Sequence, residues 1–253
     1  MKVISVRGLT HSGKTTVVET IINGLRRRGY SVGSVKEIHF EAFEIDQAGT
    51  NTYRHKEAGA QLVTALGMYE TDILYQEKLP IRQVLAHYDY DYTILEGVND
   101  PAIPKIVTGH DFEGLEERWD ETVFAFSGLL AENYSQYRGL EIVNCLKEPN
   151  HLVDLVQENA FDLLPGFSEK CCGLCETDCA GFCRKIVARK VTRSDCPLKN
   201  DGVSLKINNE KVIMVPFVQK LIRNAVLSVV SELEGYQKGA EIKIQIGSME
   251  NDE

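Results

Sequence analysis

Nine residues, Gly8 to Thr16, carry the first chemistry in the chain: GLTHSGKTT. The string meets the phosphate-loop pattern G-x-x-x-x-G-K-[ST] at Gly8, Gly13, Lys14 and Thr15. Glycines let the backbone turn its N–H groups into a nest around phosphate oxygens, and a helix that starts at the end of the loop adds positive partial charge. Lys14 is expected to reach the β- and γ-phosphates of a nucleotide, and the Thr15 hydroxyl to hold Mg²⁺. Thr10, His11, Ser12, Gly13 and Thr16 complete the expected nucleotide-binding stretch, although His11 either touches phosphate or is simply exposed. The alternative is an ordinary strand–turn–helix with chance glycines.

A second stretch, Tyr92-Thr93-Ile94-Leu95-Glu96-Gly97, has the form of an apolar strand ending in a carboxylate. Beside a phosphate loop such a carboxylate orients Mg²⁺ or its waters, so Glu96 joins Lys14 and Thr15 as a candidate catalytic residue. In the segment between them, Asp46 could hold Mg²⁺ directly or through water, and Arg54 could neutralise phosphate charge. The plain alternative is that both are solvated loop charges. No N-K-x-D string reads guanine, so GTP and ATP both stay open. No arginine finger and no base for an attacking water is identifiable, so any hydrolysis is expected to be slow. A phosphate loop with an acidic strand end also suits a small-molecule kinase.

The third group is the cysteines. Of seven, Cys145 stands alone, while Cys171, Cys172, Cys175, Cys179, Cys183 and Cys196 fall in one segment. Cys172-x2-Cys175-x3-Cys179, followed at a distance by Cys196 before Pro197, is an iron–sulfur arrangement and predicts a [4Fe-4S] cluster on those four thiolates. Four-thiolate zinc is the alternative, but a second C-x2-C is missing. Free thiols are the third reading. Cys171 and Cys183 are left over. Arg184, Lys185, Arg189, Lys190 and Arg193 give this segment a basic excess that suits a net-anionic cluster. A cluster beside an NTP site also allows an NTP-driven cluster carrier.

These groups need elements to position them. A β-branched strand at 2–6 precedes the loop. Val17, Val18, Ile21, Ile22 and Leu25 recur at helical spacing after it, with Gly29 as a stop. Further strands are expected at 30–36, 61–67, 71–75, 92–96, 103–108, 121–127 and, as an edge, 139–143. Helices are expected at 80–88 and 152–159. Strands alternating with helices predict an α/β fold, a P-loop NTPase with a mainly parallel sheet over residues 1–165. Leu163-Leu164-Pro165-Gly166 marks a boundary. Residues 166–200 then form the cysteine-rich module. Residues 201–247 form a β-β-α-β unit with strands at 203–207 and 211–215, a helix at 218–233 and a strand at 241–246, and 248–253 fray.

Composition fits a folded protein of 253 residues, 43% hydrophobic and 26% charged. A net charge of −9 argues against nucleic-acid and anionic-membrane partners. No apolar run reaches a membrane span, and the chain enters a strand at once without a signal peptide, so the expected compartment is cytoplasmic.

Residues 1–165 resemble the molybdopterin-guanine dinucleotide biosynthesis protein B (MobB) family. The likeness rests on GLTHSGKTT, VGSVK, the string Asp46, Gly49, Arg54 and Ala58-Gly59-Ala60, and later ILEGV. Thr50 and Asn51 stand where the family usually has Lys-Asp. The cysteine segment and the C-terminal unit look like an extension found in archaeal and anaerobe MobB-like proteins, and the CGLC run is similar to small four-iron modules. The resemblance implies a GTP-binding, weakly hydrolysing accessory protein in molybdenum or tungsten cofactor maturation. Its implied partners are molybdopterin, the guanylyltransferase that acts on it, molybdo- or tungsto-enzymes, and a second copy of itself.

Overall fold

The computed structural model describes residues 1–40, 43–165, 175, 177–196, 203, 205–207, 210–212, 214, 216–237, 242–244 and 246. The chain divides into two compact units, Met1–Asp195 and Cys196–Glu253.

In the first unit, β1 (Lys2–Gly8) leads through the phosphate loop into α1 (Lys14–Arg27) and β2 (Val32–Lys36). There follow α2 (Asn51–Glu57), β3 (Leu62–Leu66), β4 (Thr71–Tyr75), α3 (Ile81–Leu85), β5 (Tyr92–Glu96), β6 (Lys105–Thr108), α4 (Phe112–Glu116) and β7 (Val123–Ser127). The unit continues through β8 (Gln136–Tyr137), β9 (Leu140–Glu141), α5 (Pro149–Asn159), β10 (Phe161–Asp162) and α6 (Cys179–Val187). The main sheet runs β2-β5-β1-β6-β7, every neighbouring pair parallel, and β10 adds antiparallel to the start of β1. This is the expected α/β architecture with the phosphate-loop strand at its centre.

Alternation along β1 feeds two cores. Ile4 and Val6 face α1, whose Val17, Ile21 and Leu25 are buried with Leu152, Val153 and Val156 of α5. Burying such side chains contributes about 1.5–3 kcal/mol each before entropy is counted. Gly24 lets α5 come close, since a Cβ there would lie 2.3 Å from Val153 Cγ2. Val3 faces the other way, toward Leu85, Leu95, Val98 and Ile103.

Three expected strands depart from the parallel sheet. β3 and β4 form their own antiparallel hairpin, Leu62 opposite Tyr75, closed by Gly67 N–H donating to Glu70 O at 2.9 Å. A connection that short cannot make a parallel crossover, which needs a dozen residues or more. The expected edge strand at 139–143 is instead β9 paired with β8, with Ile142 bridged to Phe126 of the main sheet and Val143 N–H donating to Phe126 O at 2.9 Å.

The end of the first unit is fastened to the N-terminal edge of the strands. Arg184 Nε pairs with Glu121 at 3.2 Å, Arg189 Nη1 donates to Glu158 O at 3.0 Å, and Arg193 Nε donates to Asp162 O at 2.9 Å. The basic excess of this segment therefore has a use other than balancing a cluster: three of its arginines bond to carboxylates and carbonyls of the α/β unit. In the second unit, β11 (Leu205–Ile207) and β12 (Glu210–Val212) pair antiparallel, and α7 (Pro216–Val230) follows. The strand expected at 241–246 does not form at its described residues 242–244 and 246. Among the described residues no helix is long and apolar enough to cross a membrane.

Lys105, at the start of β6, is fully buried, and its ammonium donates to Asp120 Oδ2 and Thr122 Oγ1, each at 2.7 Å. A buried ammonium is costly unless it is paired. Burial pushes the Asp120 carboxyl upward, and the bonds from Lys105 and Thr122 outweigh it, leaving the pKa below its ordinary value. Asp120 is itself half-exposed, which discounts the pair. Asp120→Asn is expected to cost about 2 kcal/mol at neutral pH. A lowered carboxylate pKa stabilises above the unfolded value, so the cost should shrink as pH falls through the folded pKa. Urea unfolding of both proteins from pH 7 down to pH 3 checks this, and a pH-independent difference refutes it.

Candidate functional site

α1 starts without a side-chain cap. Its N-cap is Gly13, in the left-handed region at φ 92° and ψ 11°. A helix begun this way leaves its first N–H groups open to an anion. The loop before it is held in shape from neighbouring strands. Ser12, fully buried, donates to Leu9 O at 2.8 Å and shares a 2.6 Å bond with Thr108 Oγ1 at the end of β6. A Cβ at Gly8 would lie 2.1 Å from Thr108 Oγ1 and 2.4 Å from Thr108 O, and one at Gly128 would lie 2.3 Å from Ser12 O. His11 takes φ 59°, an uncommon left-handed conformation for a residue with a side chain.

Lys14 curls back over the loop, its Nζ donating to Gly8 O at 3.1 Å and Leu9 O at 2.5 Å. Burial holds its pKa below the ordinary lysine value, against the opposite pull of Glu96. Thr15 Oγ1 donates to Glu96 Oε1 at 3.0 Å, and Lys36 Nζ meets the same oxygen at 3.1 Å. The register makes this possible: Val6, Glu96 and Lys36 lie side by side on β1, β5 and β2. A hydroxyl and a buried carboxylate converging beside an open helix N-terminus form an oxygen donor set of the kind Mg²⁺ takes.

The other candidates are placed differently. Thr10 and His11 are exposed at the loop tip, and Thr16 is half-buried in the first turn of α1. The Asp46 carboxylate accepts from Thr50 Oγ1 at 2.6 Å, Thr52 Oγ1 at 2.9 Å and Gln47 N at 3.0 Å, bonds that shape the turn into α2 and hold its pKa low. Arg54 is exposed on α2. Of the cysteines, Cys172 lies outside the described residues, as does Cys171. Cys175 is half-buried with its thiol directed to Thr177 O at 3.0 Å, and Cys179 is buried at the start of α6, where Asp178 caps the helix. Cys196 is buried at the start of the second unit. Among the described residues no group of three or more His, Cys, Asp or Glu side chains is arranged to hold a metal ion. Cys183 is fully enclosed, and burial pushes its thiol up to about 12.

Three contributors escaped the sequence reading: Lys36, Thr108 and Gly128. Lys36 closes the string VGSVK, but nothing in one sequence says that β5 separates β1 from β2. Thr108 and Gly128 touch the loop only because β6 and β7 lie beside it.

Residues 3–126 match the family described as molybdopterin guanine dinucleotide synthesis protein B. The chain is 28% identical over 253 residues to a Methanocaldococcus jannaschii protein, covering 97% of both. That relative is provisionally named a molybdopterin-guanine dinucleotide biosynthesis adapter protein. A similarly named Bacillus subtilis protein is 24% identical over 144 residues, 55% of this chain and 83% of the relative. The crystal structure of Bacillus subtilis MobB superposes with a TM-score of 0.52 at 24% identity, covering 62% of this chain and 96% of that one. The likeness to that structure concerns the fold.

Gly8→Ala should abolish nucleotide binding and destabilise the protein by about 1–3 kcal/mol, because the new methyl meets both the Thr108 hydroxyl and its carbonyl oxygen. Thr108→Val, added to it, should not restore binding, since the carbonyl remains. Binding of a fluorescent nucleotide together with thermal unfolding tests both, and retained binding in Gly8→Ala contradicts the account.

Proposed function

Through residues 3–126 the chain belongs to the molybdopterin guanine dinucleotide synthesis protein B family, and from that premise we propose that it is a GTP-binding adapter in molybdopterin guanine dinucleotide biosynthesis. The observation that carries the nucleotide part is the uncapped N-terminus of α1 beneath the phosphate loop, with Lys14 over the loop and Thr15 joined to Glu96. The adapter part is supported by the names of the relatives.

In this reading the open N–H groups of α1 and the Lys14 ammonium take the β- and γ-phosphates. Thr15 and Glu96 supply the oxygens for Mg²⁺, which when bound would neutralise phosphate charge. Lys36, 3.1 Å from the same oxygen, helps hold the Glu96 carboxylate in place. Asp46, engaged by three donors, serves the turn into α2 rather than the ion. Guanine is favoured over adenine because the dinucleotide in the family's name is a guanine dinucleotide.

The cysteine segment enters as a separate element. The spacing of Cys172, Cys175, Cys179 and Cys196 supports a [4Fe-4S] cluster, while the described thiols do not by themselves assemble one. No step of the nucleotide chemistry is routed through it.

Two measurements test these readings. With Mg²⁺ present, the protein should bind a fluorescent GTP analogue more tightly than its ATP counterpart, and Lys14→Ala should lose about tenfold or more of that affinity. Equal binding of the two bases removes the guanine assignment. Protein purified without oxygen should contain iron and acid-labile sulfide in matching amounts, with a broad visible absorption lost in Cys172→Ala. A colourless protein with stoichiometric zinc rules the cluster out.

A further inference from the structure

Beside the phosphate loop, on the β5 and β2 side of β1, lies a cavity of about 1050 Å³ between the ends of those strands, the hairpin β3–β4 and α3. Its volume is that of a small-molecule site. Its walls are unusual for a protein surface. Phe40 is 72% exposed, Phe43 46%, Ile45 67% and Ile73 56%, and all four line this one space together with Tyr75. Large apolar side chains left in water around a single concavity mark a place where something binds.

The charges on the lining separate into used and unused. Lys78 pairs with Glu37 at 2.9 Å, Lys56 with Glu44 at 3.0 Å, and Lys36 with Glu96 at 3.1 Å. Arg7 differs. It precedes Gly8 at the end of β1, its side chain is half-buried, and it lines the cavity. Among the described residues no carboxylate reaches its guanidinium within ion-pair distance; Asp120 and Glu37 act on it only through space. A half-buried guanidinium with a planar fork of donors and no bonded partner among the described residues is suited to a phosphate or carboxylate that arrives with a ligand. Asp46, Glu44 and Glu77 on the lining disfavour a ligand that is anionic throughout. They leave room for one with a single anionic end.

The cavity is also tied to the nucleotide site. Lys36 lines it and bonds the same Glu96 oxygen that accepts from Thr15. The ligand would therefore lie beside the metal end of a bound nucleotide, on the opposite side of β1 from β6 and β7.

We propose that this cavity is a second ligand site, for a planar aromatic heterocycle carrying a phosphate, with Arg7 as the phosphate anchor and Phe40, Phe43 and Tyr75 as the apolar walls. The inference rests on the adapter reading for its substrate class, since a pterin phosphate is the heterocycle that reading supplies. It goes beyond that reading in naming the place and the anchor.

The test uses the full chain with Mg²⁺ and a saturating non-hydrolysable GTP analogue, and 6-hydroxymethylpterin phosphate as the fluorescent probe. Saturable binding is expected, with 6-hydroxymethylpterin, which lacks the phosphate, binding at least about tenfold more weakly. Arg7→Gln should erase that difference. Phe43→Ala, at the exposed rim where folding is not at stake, should weaken both pterins alike. The proposal is overturned if Arg7→Gln binds the phosphate as wild type does. It is equally overturned if guanosine displaces the probe, which would make the cavity the nucleoside site, or if the probe does not bind to protein that holds GTP. Pterin phosphate binding in a protein that fails to bind GTP would instead sink the nucleotide reading and leave the cavity assignment standing.

Discussion

One carboxylate oxygen, Glu96 Oε1, receives both the Thr15 hydroxyl and the Lys36 ammonium. Glu96 is almost fully buried, and a buried carboxylate is costly without bonded partners. The two it has come from different elements, one from the first turn of α1 and one from the end of β2. They can meet only if β5 is inserted between β1 and β2, as the strand order places it. The order of the sheet is thus a requirement of the site, and the chain meets it by carrying the hairpin β3–β4 and α3 between β2 and β5. The cavity with Arg7 on its lining opens in the space those same excursions enclose.

The phosphate loop depends on the other flank of β1. Ser12 is locked to Thr108 at the end of β6, and Gly8 and Gly128 permit approaches that any side chain would block. Rigid walls on both flanks let the loop hold His11 in a left-handed conformation and leave the start of α1 uncapped. Open donors at a helix start are costly in the absence of a partner, and in the proposed function a bound phosphate offsets that cost.

The two chemically distinctive regions of the first unit sit at opposite ends of its sheet. The residues of the proposed nucleotide site gather at the C-terminal ends of the strands, the usual ligand edge of an open parallel sheet. α6 and the arginines that follow its cysteines are fastened at the N-terminal edge, to Glu121, Glu158 and Asp162. Along β1 the separation is roughly 20 Å.

Local pattern alone was enough to mark the phosphate loop, because its glycines, lysine and threonine fall within one short stretch of chain. It was enough too for β1, α1, β5 and α7, whose apolar residues recur strongly, and for placing Glu96 at the end of β5. Pairing was beyond it. That residues 62–66 and 71–75 fold onto each other rather than into the sheet follows from a short turn around Gly67 that the alternation of strands and helices obscured. Lys36 and Thr108 read as ordinary strand ends, since their partners are 60 and 96 residues away. Asp46 and Arg54 read alike, as site charges or as solvated loop charges; in the fold Asp46 is bonded within its own turn and Arg54 is exposed on α2. The sequence by itself determined the phosphate-loop pattern and that a mainly parallel sheet would carry it. Only the tertiary structure decided which strands flank β1, and with them which side chains reach Glu96 and Ser12, because hydrogen bonding between strands is set by the packing of the whole sheet and not by any local run of residues.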